Sequence, residues 1–158
     1  MKYRCLTDEE LKELEEDFKH FLIANAIYDD DWVKINKTDQ KKAQQLVAMF
    51  SDMVMDKALK NIRFLEHITT DGINAFFCND EEIVLIGITT KNKRVDFTKD
   101  TLDKFKNDLD IFKTSKPYFK ERELEVFELL ESGCSIIDEE RFKKLELAYT
   151  YSTQQVKN

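Results

Sequence analysis

The sequence predicts a single α+β domain, with about five helices packed on a three-stranded antiparallel β-meander. Three observations predict it. Only 3 Gly and 1 Pro punctuate the 158 residues, so helices are expected to dominate over irregular loops. Apolar residues recur at helical spacing on both sides of a central stretch. Within that stretch, residues 63–90, the pattern changes to β-branched and aromatic residues around two turn signals, Asp71-Gly72 and Asn79-Asp80. The domain is expected to span residues 1–150, with 151–158 as a frayed polar tail.

The first helix is announced by LTDEEL, residues 6–11. Thr7 and Glu10 have the spacing of a capping box, and Asp8, Glu9 and Glu10 suit the positive end of the helix dipole. Leu11, Leu14, Phe18, Phe21 and Leu22 form its apolar stripe. Asp29, Asp30 and Asp31 then suit a helix start, with Trp32 and Ile35 anchoring a short turn. Thr38 or Asp39 caps a long helix, about 40–62, whose stripe is Ala43, Leu46, Val47, Phe50, Val54 and Ala58, widened by Met49, Met53 and Met55. After the meander, Leu102, Phe105, Leu109 and Phe112 fall on one helical face, broken by KTSKP. Pro117 opens a helix ending at Gly133. Asp138 caps the last one, with Phe142, Leu145 and Tyr149 inward.

The strands are expected at about 63–69, 73–78 and 83–89. With Asp71-Gly72 and Asp80-Glu81 as turn centres, Thr70 pairs with Ile73, His67 with Phe76, and Phe77 with Val84. One face then carries Phe64, Ile68, Ile73, Ala75, Phe77, Val84, Ile86 and Ile88, with Glu66 as its misfit. The other carries Leu65, His67, Phe76, Cys78 and Leu85, a mixed set that a freely solvated face does not show. Those five residues are the candidate pocket or interface. In this register His67 is diagonal to Cys78, within reach of an imidazole-activated thiol. No glycine-rich oxyanion loop accompanies them, and a buried Cys acting as a small hydrophobe is the competing reading.

The formal net charge of −7 disfavours a general nucleic-acid binder. The charge is polarised: residues 8–31 hold ten acids against Lys12 and Lys19, and residues 91–122 hold ten Lys/Arg against six acids. The basic candidates are Lys91, Lys93, Arg94, Lys104 and Lys106, interleaved with aromatics that could stack bases. Cys5, Cys78 and Cys134 show no paired spacing, and Asp29–Asp31 lack the alternation of a calcium loop, so neither a metal nor a cofactor is expected. No phosphate-cradling glycine motif occurs. No apolar run has the length of a membrane span.

The opening residues 1–27, MKYRCLTDEELKELEEDFKHFLIANAI, with Trp32, FSDMV and IRFLEH, resemble a small bacterial family of unknown function. Its members open with a similar MKYR-x-LT-x-EEL block followed by similar FSD and LEH blocks. The resemblance covers roughly residues 1–90 and implies a small, stand-alone cytoplasmic bacterial protein; it implies no catalytic role. The functional expectation is a non-enzymatic accessory subunit or adaptor with a protein partner. Two alternatives are a ligand-binding protein or small enzyme using His67, Phe76 and Cys78, and nucleic-acid contact through 91–122 within a transcription or translation complex.

Overall fold

A computed structural model gives the fold and describes residues 1–156. Contacts divide the chain into two compact units, Met1–Leu59 and Lys60–Asn158.

In the first unit, α1 (Asp8–Glu13) and α2 (Glu15–Ala24) are separated at Leu14, whose backbone leaves helical geometry at φ −103° and ψ 22°. The capping box forms in both directions: Glu10 N–H donates to Thr7 Oγ1 at 3.2 Å, and Thr7 N–H donates to the Glu10 carboxylate at 2.8 Å. α2 stops without a glycine. Ala26 takes the left-handed conformation at φ 59°, and Ile27 N–H closes the end on the Leu22 carbonyl at 2.8 Å. The aspartate run opens α3 (Asp29–Thr38), where Asp31 accepts from Tyr28 N–H. Asp39 caps α4 (Gln40–Lys60) by accepting from Lys42 N–H. Leu22, Ile27 and Leu46 form the core with Phe18, Phe21, Trp32 and Ile35. Phe18 meets Trp32 edge-on at 5.2 Å and Phe50 at 5.0 Å. Met49 and Met53 are exposed, so they do not widen the buried stripe.

The segment before α1 is tied to α4. The Asp52 carboxylate accepts from the backbone N–H groups of Lys2 at 2.8 Å and Tyr3 at 3.1 Å. Ser51 Oγ, fully buried, accepts from Leu6 N–H at 3.0 Å. Tyr3 Oη donates to Asp56, and Arg4 grips Glu10 with two nitrogens at 2.9 and 3.1 Å.

The second unit is one antiparallel sheet in the order β4-β3-β2-β1-β5. Its strands are β1 (Phe64–Ile68), β2 (Gly72–Cys78), β3 (Glu82–Thr90), β4 (Leu109–Pro117) and β5 (Ser135–Ile136). The α+β class holds, but five strands replace three, and six α-helices and one 3₁₀ segment are found among the described residues. The second hairpin has the expected register, Phe77 opposite Val84. The first is shifted by two residues: Ile68 pairs with Ile73 and His67 with Asn74. Thr70 and Asp71 are the turn centre, because Thr69 N–H bonds to the Gly72 carbonyl. Gly72 is needed for space instead, since a Cβ there would lie 2.6 Å from the Ile88 carbonyl oxygen. A shift of two keeps every side chain on its predicted face.

The larger correction concerns residues 102–117. Leu102–Asp108 form the 3₁₀ segment, and Leu109–Pro117 are a strand, not the second half of a helix. Leu109 and Ile111 lie on the face that Ile88 occupies, while Phe112 points to the other and roofs Gly87, where a Cβ would meet its ring at 2.1 Å. α5 (Arg122–Glu131) follows. α6 (Glu139–Val156), capped by Asp138, carries helix through 151–156 of the expected tail; 157–158 lie outside the described residues. Phe142 and Leu145 of α6 pack on Ile73, Ala75, Ile86 and Ile88. Glu66, the misfit on this face, is met by Arg141 Nε at 3.1 Å.

Three outcomes are expected of the first unit. Asp52→Ala should cost about 2–3 kcal/mol, since it strands two amides bonded to a carboxylate, measured as a lower urea midpoint. Ala26→Gly should raise stability by about 0.5–1 kcal/mol by relieving a left-handed Cβ. The N-terminal clamp should also be pH-bounded. Arg4 and the Thr7 amide hold Glu10 down to about 2, so its contribution is present above the ordinary carboxylate range and drains as pH falls toward 2. Burial and the Asp56 bond push Tyr3 up to about 12, so its contribution is full below the ordinary tyrosine value and drains as pH rises toward 12. Limited proteolysis at residues 1–6 across pH reads both limbs.

Candidate interaction surface

Leu65, Phe76 and Leu85 lie side by side on the mixed sheet face, with His67 and Cys78 displaced to opposite ends of that row. Leu65 and Cys78 are fully buried, while His67, Phe76 and Leu85 are half-buried. With His67 opposite Asn74, Cys78 lies four residues farther along β2, about 13 Å away at the strand rise. His67 instead approaches Gly133. Burial pushes the Cys78 thiol up to about 11, against the opposing pull of Arg122. A thiol held protonated by desolvation and remote from imidazole is a core residue, not an activated nucleophile. α5 reaches this end of the sheet: Arg122 donates to the Cys78 carbonyl at 2.9 Å and to the Ile62 carbonyl, and Val126 beyond it is fully buried. Asn74 and Phe112 stay exposed at the other end.

The basic candidates are solvated. Lys91, Lys93 and Arg94 lie in the connection after β3, and Lys104 and Lys106 in the 3₁₀ segment; all five are exposed. Two of the aromatics in 91–122 are not free to stack on bases. Phe97 is buried in the core and Phe105 packs against it. Among the described residues, no three His, Cys, Asp or Glu side chains gather as metal ligands. No helix among them is long and apolar enough to cross a membrane.

A different surface emerges at β4. It is the outermost strand on one side of the sheet, and every residue from Phe112 to Pro117 is exposed. Immediately after it, Phe119 is 85% exposed. The loop that presents this ring is held from beneath. Glu125, a carboxylate only 6% exposed, accepts from Phe119 N–H at 2.9 Å and Lys120 N–H at 3.2 Å, and from Lys116 Nζ at 3.3 Å. Tyr118 Oη donates to the Asn79 carbonyl at 2.6 Å, and burial raises its pKa well above the usual tyrosine value. Lys116 stands over the Phe119 ring, 5.6 Å from its centroid. Sequence reading missed this surface because it treated Leu109 and Phe112 as one helical face. The local signal was the alternation in LDIF followed by the aromatic pair after Pro117.

A family model for a family of unknown function matches residues 1–150, well past the opening blocks and through β4, α5 and most of α6. The chain belongs to the family of unknown function DUF6495. No curated protein and no solved structure matches it. Two of the blocks that carried the resemblance meet in space, both within the first unit. Lys2, Tyr3 and Leu6 of the opening block bond to Asp52 and Ser51 of FSDMV. The most recognisable residues of this DUF6495 chain therefore hold its first unit together, and Tyr3 and Arg4 are engaged within it.

Thiol labelling distinguishes core from site. In the native protein Cys5, exposed, should react with iodoacetamide at the rate of an ordinary thiol, and Cys78 at least about a hundredfold more slowly, matching its raised pKa and burial. Fast labelling of Cys78 by mass spectrometry would restore the thiol chemistry.

Proposed function

We propose that this protein is a non-enzymatic adaptor that captures an extended, acidic segment of a partner protein along β4, with Phe119 as the anchor. The observation that carries the reading is the fully presented Phe119 ring on a loop locked by a buried carboxylate, directly after an unpaired strand edge. A ring already fixed in place loses little conformational freedom on binding, which is what makes rigid aromatics strong anchors. The edge offers alternating N–H and C=O groups, and only another peptide strand complements both.

Charge selects the occupant. An edge-to-edge pair of two copies would bring Lys113 and Lys116 of both chains to one seam, and Pro117 limits its extension, so self-pairing is disfavoured. Lys116 and Lys120 keep 54% and 56% of their side-chain surface exposed while paired with Glu125 and Glu128, leaving room for a partner carboxylate to join. The three free cysteines fit a reducing cytoplasm as the setting.

The test is purification of the tagged chain at native expression, followed by amide hydrogen exchange on the complex. The expected footprint is protection of residues 109–117 by an acidic extended segment. Phe119→Ala should weaken the complex at least about thirtyfold, the loss of a typical aromatic hot spot. A partner whose binding leaves 109–120 as exchangeable as in the free chain would sink the reading, as would indifference to Phe119→Ala.

A further inference from the structure

The opposite face of the same sheet is not completely filled. Between its apolar face, the 3₁₀ segment and α6 lies a cleft of about 1000 Å³. Its floor is aliphatic: Ile73 and Ile88 with Leu109 and Ile111 of the newly recognised strand region. Leu147 and Ala148 of α6 form one wall. Apolar side chains reach its mouth as well, with Leu147 68%, Tyr151 64% and Ile68 37% exposed. The volume lies at the upper end of the roughly 300–1,000 Å³ typical of small-molecule sites.

Nine of the nineteen residues around the cleft are polar or charged, and the charges are uneven. Lys106, Arg141 and Lys144 line the cleft against Asp100 and Asp103, three cations to two anions in a chain of net charge −7. Arg141 is committed to Glu66 at 3.1 Å, and Lys144 reaches Glu140 at 3.7 Å on the solvent side. Asp100 is occupied by the Asp96 amide at 2.9 Å and by Lys104 at 3.9 Å. Lys106 and Asp103 enter no ion pair among the described residues.

We propose that this cleft binds a single-chain anionic amphiphile, its alkyl chain on the Ile73–Ile88–Ile111 floor and its carboxylate on Lys106 and Lys144. An aliphatic floor without hydrogen-bonding side chains suits a chain rather than a sugar or nucleobase, which would leave buried polar atoms unpaired. The ammonium groups at the rim favour an acid over an amine or a neutral alcohol of the same length.

The probe is dodecanoate, titrated by calorimetry below its micelle concentration against the full chain, with dodecylammonium and dodecanol as comparators. The expected result is one site per chain, with dodecanoate bound at least about tenfold more tightly than dodecylammonium, the range of one charge-assisted hydrogen bond. Ala148→Trp, which fills the cleft, should abolish binding. Lys106→Glu, at an exposed position and so safe for folding, should weaken dodecanoate by a similar factor and favour the amine. Equal binding of acid and amine, no binding of either, or dodecanoate affinity unchanged in Lys106→Glu would overturn the proposal.

Discussion

The backbone of β3 around Ile86, Gly87 and Ile88 is buried, so its amides and carbonyls need strand partners on both sides. β2 supplies one side through the hairpin at Asn79, whose side chain accepts from the Glu81 and Glu82 amides at 2.9 and 2.8 Å. Nothing adjacent in sequence supplies the other. Residues 109–117 do so, matching all nine residues of β3 from Glu82 to Thr90. That demand outweighs the helix-like spacing of Leu102, Phe105, Leu109 and Phe112. Gly87 sharpens it: a bare backbone in mid-strand is unfavourable unless a neighbour roofs it, and Phe112 is that roof.

Both proposed sites descend from this one pairing. Adding β4 moves the edge of the sheet outward, onto a strand whose residues beyond Ile111 face water, and sets the turn at Phe119 beside it. It also widens the sheet. Four full-length strands at about 4.8 Å spacing exceed what one helix about 10 Å across can cover. α6 packs on the centre through Phe142 and Leu145, with the ring cluster of Phe64, Phe77 and Phe142 beneath it. The 3₁₀ segment covers part of the remainder, and the uncovered strip is the cleft.

The first unit joins an apolar core to an N-terminal segment held by charge and hydrogen bonding. Asp52 and Ser51 take backbone amides from a segment without regular structure, a way of satisfying donors that no helix or sheet supplies. Arg4 and Thr7 share the Glu10 carboxylate, linking that segment to the start of α1. The acidic pole read from residues 8–31 is thus partly structural: Glu10 closes a capping box and Asp31 opens α3, while the other carboxylates lie in water.

The sequence by itself determined the α+β class, the capping residues Thr7 and Asp138, the narrowing of the α4 cap to Thr38 or Asp39, the Val84 hairpin and the allocation of strand residues to faces. Each follows from interactions within a few residues or from the period-two alternation of a strand, both of which are written locally. The tertiary structure decided the two-residue shift in the first hairpin, which separates His67 from Cys78. It also decided that 109–117 is a strand, that Ala26 ends α2 without a glycine, and that Glu125 turns inward to hold Phe119. These depend on which backbone groups come to lie beside one another across tens of residues, and no local pattern encodes that.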